Sequence, residues 1–116
     1  MREFMYSLDM AEACVYLVEN IDISEIEALT SKSPKEKKTI HFLNIGTGHE
    51  ISIKALASLI KQKLGFAGGL YFNSDKPDGP LRKLTNVDLL HSLGYKHNVE
   101  LEQGIEKMYK AYLEKQ

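Results

Sequence analysis

Residues 40–65 have the sequence IHFLNIGTGHEISIKALASLIKQKLG, in which a short apolar run, a glycine turn and an amphipathic segment follow one another. The run from Ile40 to Ile45 ends at the glycine turn and therefore predicts a buried strand. Ser52 is a suitable helix N-cap, and Gly65 predicts the end of that helix. Its apolar face comprises Ile53, Leu56, Ala57, Ile60 and Leu64. A strand, a turn and a helix in this order indicate an α/β fold.

A second helix is predicted on the amino-terminal side, over Asp9–Asn20. Its apolar residues have the spacing of one helical face, namely Met10, Ala13, Cys14, Leu17 and Val18. Asp9 and Glu12 have the spacing of a capping box at its start. We expect the single cysteine, Cys14, to be buried and inert on this face. A lone cysteine excludes an internal disulfide and is compatible with a reducing, cytoplasmic location.

The carboxyl-terminal half adds one strand and two helices to this prediction. Gly69–Asn73 is a second strand candidate, Asn86 can cap a short helix that closes at Gly94, and Leu101–Leu113 is amphipathic. Two strands joined through a helix favour parallel pairing by a right-handed crossover. The predicted fold class is therefore a small α/β domain with a few short parallel strands and four to five helices.

The length of 116 residues fits one domain and is too short for a dinucleotide-binding domain plus a substrate domain. Residues 21–39 differ from the rest, since Ser24 can cap a short helix before the lysine-rich segment 31–38, which has nothing to bury. We interpret 21–39 as a variable, partly flexible insertion. A formal net charge of −1 gives no reason to expect nucleic-acid binding. Neither a membrane-length apolar run nor a signal peptide is expected from this sequence.

Residues 44–50, NIGTGHE, lie between a predicted strand and a predicted helix, where phosphate-binding loops occur. The dinucleotide fingerprint would need a third glycine at position 51, which is Ile51, so a structural turn is the preferred interpretation. No tyrosine is followed by lysine four residues later, and the four histidines lack metal-site spacing. We therefore expect no catalytic, cofactor-binding or metal-binding residues in this chain.

Residues 76–83, KPDGPLRK, combine turn chemistry with charge. Pro77, Asp78 and Gly79 predict a turn. Asp78 can accept hydrogen bonds from two vicinal hydroxyls or a base N–H. Arg82 and Lys83 follow the turn and could bind a diphosphate. Chemistry alone leaves two interpretations open, an exposed turn and an anion site.

Four stretches in this order resemble the carboxyl end of the GDP-L-fucose synthase family, within the extended short-chain dehydrogenases. They are MREFMYSLDMAEA, HFLNIGTGHEISIKALASLI, KPDGPLRKLTNVDLLHSLGY and LEQGIEKMY. The resemblance implies an NADP-dependent enzyme that epimerises GDP-4-keto-6-deoxy-D-mannose at C3 and C5 and then reduces C4. It also implies that an amino-terminal Rossmann domain, which holds NADP and the catalytic residues, is missing here. Residues 1–116 then form the carboxyl-terminal nucleotide-sugar-binding domain, inactive alone.

The resemblance also implies which residues bind the substrate. Arg2 matches an arginine that contacts the diphosphate, Asp78 an aspartate on the GDP side, and Lys83 a lysine near the phosphates. Two departures are present: one of the family's paired acids is lost at Leu8, and Pro80-Leu81 replaces Thr-Pro before Arg82. The expected partners are a GDP-sugar, the missing Rossmann domain and a second copy of the chain. The alternatives are the same domain of another nucleotide-sugar epimerase or dehydratase, and a non-catalytic self-associating module.

Overall fold

The computed structural model describes residues 1–30, 42–73, 75, 77 and 79–116. In this part of the chain the helices are α1 Ser7–Asn20, α2 Ile23–Thr30, α3 Ile53–Lys63, α4 Asp88–Ser92 and α5 Leu101–Glu114. The strands are β1 Arg2–Glu3 and β2 Glu50–Ile51. Five helices with a very small sheet agree with the predicted small α/β class. The described residues contain no helix that is both long and apolar enough to cross a membrane.

The sheet differs from the prediction. β1 and β2 pair antiparallel, with Arg2 opposite Ile51 and Glu3 opposite Glu50. Residues 42–45 and 69–73 are not strands, and residues 40 and 41 lie outside the described part. Leu43 and Ile45 instead pack directly against the core, so the apolar run is explained by side-chain burial without a hydrogen-bonded ladder. A single parallel bridge joins Arg2 to Lys83 on the other side of β1.

The core is small and centres on Ala13, Leu90 and Tyr95. Partly buried apolar side chains surround it, namely Met5, Tyr16, Leu17, Leu43 and Ile45. The buried face of α1 is therefore centred on Ala13. Cys14 is exposed, so the prediction of a buried thiol was wrong.

The predicted capping box at Asp9 was also wrong. Helix α1 begins at Ser7, after an N-cap residue, Tyr6, that makes no side-chain cap hydrogen bond. Asp9 lies inside the helix and is buried. Its Oδ2 accepts hydrogen bonds from the backbone N–H groups of Val99 (2.8 Å) and Asn98 (3.2 Å). The carboxylate thus ties α1 to the chain that enters α5.

Helix ends followed their local signals more closely. The Ser52 hydroxyl accepts from the Ala55 N–H at 3.1 Å and caps α3, and Gly65 follows its end with φ of 64°. At α2 the predicted cap, Ser24, was wrong by two residues. The helix is capped by Asp22, whose Oδ1 accepts from the Ser24 N–H at 2.9 Å.

We expect Ser52→Ala to lower the free energy of unfolding by about 1 kcal/mol, because one N–H group at the start of α3 loses its acceptor. The measurement is urea unfolding followed by circular dichroism. Ser58→Ala is the matched control. Ser58 is exposed within α3, so alanine there should leave stability unchanged or raise it slightly. Equal losses at the two positions would contradict the cap.

Candidate anion site

Arg2 contacts Gly79 and Pro80 of the KPDGPLRK segment, whose predicted turn includes residue 78, outside the described part of the chain. Its Nη1 donates hydrogen bonds to the carbonyl oxygens of Pro80 (2.6 Å) and Met1 (2.7 Å). A β-carbon added at Gly79 would lie 3.0 Å from Nη2 of Arg2, so the guanidinium packs directly against Gly79. Arginine carries five N–H donors, and these two bonds use only those on Nη1. Among the described residues nothing accepts from the Nε and Nη2 donors, which leaves them for a planar anion.

Lys83 lies beside Arg2. The two residues form the parallel bridge, and the Lys83 N–H donates to the Met1 carbonyl at 3.2 Å. Side chains paired directly across neighbouring strands project to the same face. Lys83 is exposed and makes no ion pair with any residue in the described ranges. The fold thus brings two of the three predicted contact residues together on one face.

Arg82 is engaged elsewhere. Its Nε donates to Oε2 of Glu50 at 2.8 Å, which joins the segment after the turn to β2. The Arg82 side chain is 64% exposed and that of Glu50 21% exposed, so the pair lies at the surface. An exposed pair of this kind contributes little to stability. The pair instead constrains the position of Arg82, the residue that immediately precedes Lys83.

The third predicted residue, Asp78, lies outside the described residues. Its neighbours Pro77 and Gly79 are both exposed. Its role as a substrate contact therefore stays a prediction.

Glu3 is a functional candidate that the sequence analysis missed. Its Oε1 accepts from the backbone N–H groups of Thr47 (2.5 Å) and Gly48 (2.7 Å), and its Oε2 accepts from the Thr85 N–H (2.9 Å). The signal was present in the sequence. A carboxylate stood next to a predicted contact, Arg2, in a chain whose glycine loop needed an acceptor for its N–H groups.

Partial burial raises the pKa of Glu3, but hydrogen bonds from the Thr85 side chain and from the backbone of Gly48, Thr85 and Thr47 lower it more, and the net pKa lies below 4.5. A carboxyl group with a lowered pKa in the folded state stabilises the fold fully above its unfolded pKa. That stabilisation is lost as the pH falls through the lowered pKa.

The glycine loop therefore binds an anion of its own chain. The N–H groups of Thr47 and Gly48 are directed at Glu3, and a β-carbon at Gly46 would lie 2.5 Å from Glu3 Oε1. This agrees with the interpretation of NIGTGHE as a structural turn. The loop does not fit the diphosphate of a dinucleotide cofactor, because Glu3 already holds its donors.

The described histidines do not form a metal centre. The rings of His49 and His97 meet edge to face with centroids 5.9 Å apart, and His97 Nε2 lies 3.4 Å from Glu100 Oε1. No group of three or more His, Cys, Asp or Glu side chains suited to a metal ion occurs within the described ranges. The anion site remains the best-defined candidate.

Comparison with known proteins relates this domain to nucleotide-sugar enzymes, although no protein-family model matches the chain. The structure of a GDP-6-OMe-4-keto-L-xylo-heptose reductase from C. jejuni has a TM-score of 0.84 and 40% identity, and the match covers 99% of this chain and 31% of that one. A GDP-mannoheptose C4 reductase from Campylobacter jejuni, solved with NADP bound, has a TM-score of 0.76 and 38% identity over 97% of this chain and 31% of its own.

The structural neighbours are thus GDP-sugar reductases. More particularly, several GDP-L-fucose synthases match the whole chain, which corresponds to their carboxyl-terminal part, as the sequence resemblance implied. The enzyme of Escherichia coli (strain K12) is 36% identical over 116 residues, which are 100% of this chain and 34% of that protein. The chain spans about a third of the length of the curated relatives it matches.

Proposed function

We propose that residues 1–116 are the carboxyl-terminal substrate-binding domain of an NADP-dependent GDP-L-fucose synthase. In this proposal the complete enzyme epimerises GDP-4-keto-6-deoxy-D-mannose at C3 and C5 and then reduces C4. An amino-terminal Rossmann domain, as in other extended short-chain dehydrogenases, supplies the cofactor site and the catalytic residues. The chain alone binds no NADP and turns over no keto sugar. A cytoplasmic location and a homodimer are part of the same proposal.

The observation that carries this proposal is the adjacency of Arg2 and Lys83 on one face of β1. A nucleotide-sugar diphosphate presents two neighbouring anionic groups. The Arg2 guanidinium, whose Nε and Nη2 bond no described residue, and the Lys83 ammonium across the bridge supply matching positive charge. Asp78 is then assigned to the guanosine side, where a carboxylate accepts from base N–H or ribose hydroxyl groups.

A GDP-heptose reductase is the second candidate. It is favoured by the identity to the C. jejuni GDP-6-OMe-4-keto-L-xylo-heptose reductase, which at 40% exceeds the 36% to the E. coli GDP-L-fucose synthase. The two candidates share the GDP group and differ in the sugar. Competition between GDP-4-keto-6-deoxy-D-mannose and a GDP-4-keto-heptose for the chain would separate them.

The other alternative, a self-associating module, receives support from an open apolar groove of about 540 Å³. Side chains of α3, of its C-cap residue Leu64 and of α5 line it, including Ile60, Ile105 and Met108. A chain that light scattering shows to be strictly monomeric would argue against this alternative and against the homodimer.

The test is a two-dimensional amide NMR titration with GDP, and with UDP as the ligand control. We expect GDP to shift the amides of Arg2 and Lys83, with UDP weaker. Lys83→Ala should weaken GDP binding about tenfold, because one charge-assisted contact is lost. Lys54→Ala is the protein control. Lys54 is also an exposed lysine, but it lies on α3, and its loss should leave affinity unchanged.

A well-dispersed spectrum in which no amide near Arg2 or Lys83 moves would count against the proposed site. Equal weakening by Lys83→Ala and Lys54→Ala would show that binding reports net charge alone. Tighter binding of UDP than of GDP would exclude a GDP-sugar enzyme.

A further inference from the structure

We propose that Glu3 is a positioning residue of the anion site, whose carboxylate holds Arg2 and Lys83 in register without contacting the ligand. The inference rests on the proposed function for the identity of the ligand. The hydrogen bonds of Glu3 to the glycine loop and to Thr85, here called the clamp, are observed in the structure and do not depend on the identity of the ligand.

The two carboxylate oxygens of Glu3 serve two separate segments. Oε1 receives the N–H groups of Thr47 and Gly48 and, at 3.2 Å, the Thr47 hydroxyl. Oε2 receives the Thr85 N–H at 2.9 Å. One side chain thereby joins β1, the glycine loop and the chain that follows Lys83.

The position of Glu3 in β1 explains why it acts through its neighbours. Successive side chains of a strand project to opposite faces, so Glu3 and Arg2 face away from each other. Arg2 keeps Nε and Nη2 unbonded to any described residue on one face, while Glu3 anchors the strand from the other. The carboxylate therefore fixes the backbone that carries Arg2.

Lys83 is held between two ties. Thr85, two residues after it, is bound by Glu3, and Arg82, immediately before it, is bound by Glu50. Direct attachment of Lys83 to β1 consists of the bridge to Arg2 and the N–H bond to the Met1 carbonyl. Loss of the Thr85 tie removes the hydrogen bond to β1 that lies nearest to Lys83 on its carboxyl-terminal side.

Glu3→Gln is expected to remove one part of the clamp, the hydrogen bond to Thr85, and to keep the hydrogen bonds to the glycine loop. A carboxylate accepts on both oxygens, whereas an amide accepts on one oxygen and donates from its nitrogen. The glutamine oxygen is expected to stay with the loop, which offers three donors, because the amide nitrogen would otherwise face them. The nitrogen then meets the Thr85 N–H, and that hydrogen bond is lost.

The experiment compares hydrogen exchange and GDP affinity in the wild-type chain and in Glu3→Gln. We expect exchange at the Thr85 and Lys83 amides to accelerate about tenfold and GDP binding to weaken about tenfold, while the Gly48 amide changes little. Ser52→Ala is the matched control. It removes a side-chain-to-backbone hydrogen bond at the start of α3 that involves none of Arg2, Glu3 and Lys83, so it should lower stability without changing GDP affinity or the relative exchange at Lys83.

Exchange at Lys83 and Thr85 within about twofold of the wild-type rates would overturn the clamp, since both hydrogen bonds would then be independent of Glu3. Unchanged GDP affinity alongside accelerated exchange would also overturn the positioning role. A wild-type chain that binds no GDP would refute the proposed function instead. In that case the hydrogen-exchange rates would test the clamp by themselves, without the binding data.

Discussion

Replacing Asp9 by alanine is expected to lower the free energy of unfolding by about 3 kcal/mol, because two backbone donors lose their acceptor. Asp9 is 1% exposed. Its Oδ2 receives the N–H groups of Val99 and Asn98 at 2.8 and 3.2 Å. An unpaired buried N–H costs roughly 1–3 kcal/mol. The Val99 and Asn98 N–H groups are partly buried, so the two losses together fall in the lower half of the combined range of about 2–6 kcal/mol.

Urea unfolding followed by circular dichroism measures this loss. Asp9→Asn keeps the shape and one acceptor oxygen, and should lose less than half as much. Glu12→Gln is the surface control, because Glu12 is exposed and accepts only from the Asn98 side chain at 3.2 Å. A loss below about 1 kcal/mol for Asp9→Ala would mean that water replaces the carboxylate.

The importance of Asp9 follows from the small size of the core. Within the described ranges few apolar side chains around Leu90 are fully buried, so hydrogen bonds between elements contribute much of the tertiary structure. The Tyr95 hydroxyl donates to the Asp9 carbonyl at 2.7 Å and the Tyr16 hydroxyl to the Leu93 carbonyl at 2.9 Å. These bonds all join α1 to the chain between α4 and α5. Leu8, where the family resemblance implies a second acid, lies at an exposed position, unlike the buried Asp9.

The helices could be predicted because their signals are local. Ser52, Gly65 and the apolar spacing of α3 and α5 lie within one or two turns of the structure they determine. The same reasoning failed at Asp9. Its spacing to Glu12 is that of a cap, but the backbone groups it binds lie 89 and 90 positions along the chain.

The strands could not be predicted, since each has only two residues and their pairing is non-local. An apolar run such as residues 42–45 has the same pattern whether it is hydrogen-bonded in a sheet or only packed on a core. The expected parallel crossover is not present in the described residues, whose sheet pairs β1 with β2 antiparallel.

The candidate site was predicted in part. Family resemblance selected Arg2 and Lys83, and the structure places them side by side. The acceptor Glu3 was not identified, because its partners Thr47 and Thr85 lie 44 and 82 residues away. The glycine loop does bind an anion, but its anion is this internal carboxylate.

Gly46→Ala is expected to lower the free energy of unfolding by about 3 kcal/mol and to weaken GDP binding, because the new methyl group displaces Glu3. The β-carbon would lie 2.5 Å from Glu3 Oε1 and 3.1 Å from the Thr85 β-carbon. Glu3 can yield this space only by giving up the N–H groups of Thr47 and Gly48. Gly69→Ala is the matched control, since no atom lies within 4 Å of a β-carbon there and its φ is not in the left-handed region.

Chemical denaturation of both variants measures the difference, and Gly69→Ala should stay within about 0.5 kcal/mol of the wild type. A double-mutant cycle then identifies the cause. If the methyl group acts by displacing the carboxylate, Glu3→Ala already contains that loss, and adding Gly46→Ala should cost little more. Additive losses would show instead that the methyl group strains the loop or Thr85 independently of Glu3. In that case Gly46 would be required by the loop itself, and the clamp would not explain why glycine occupies this position.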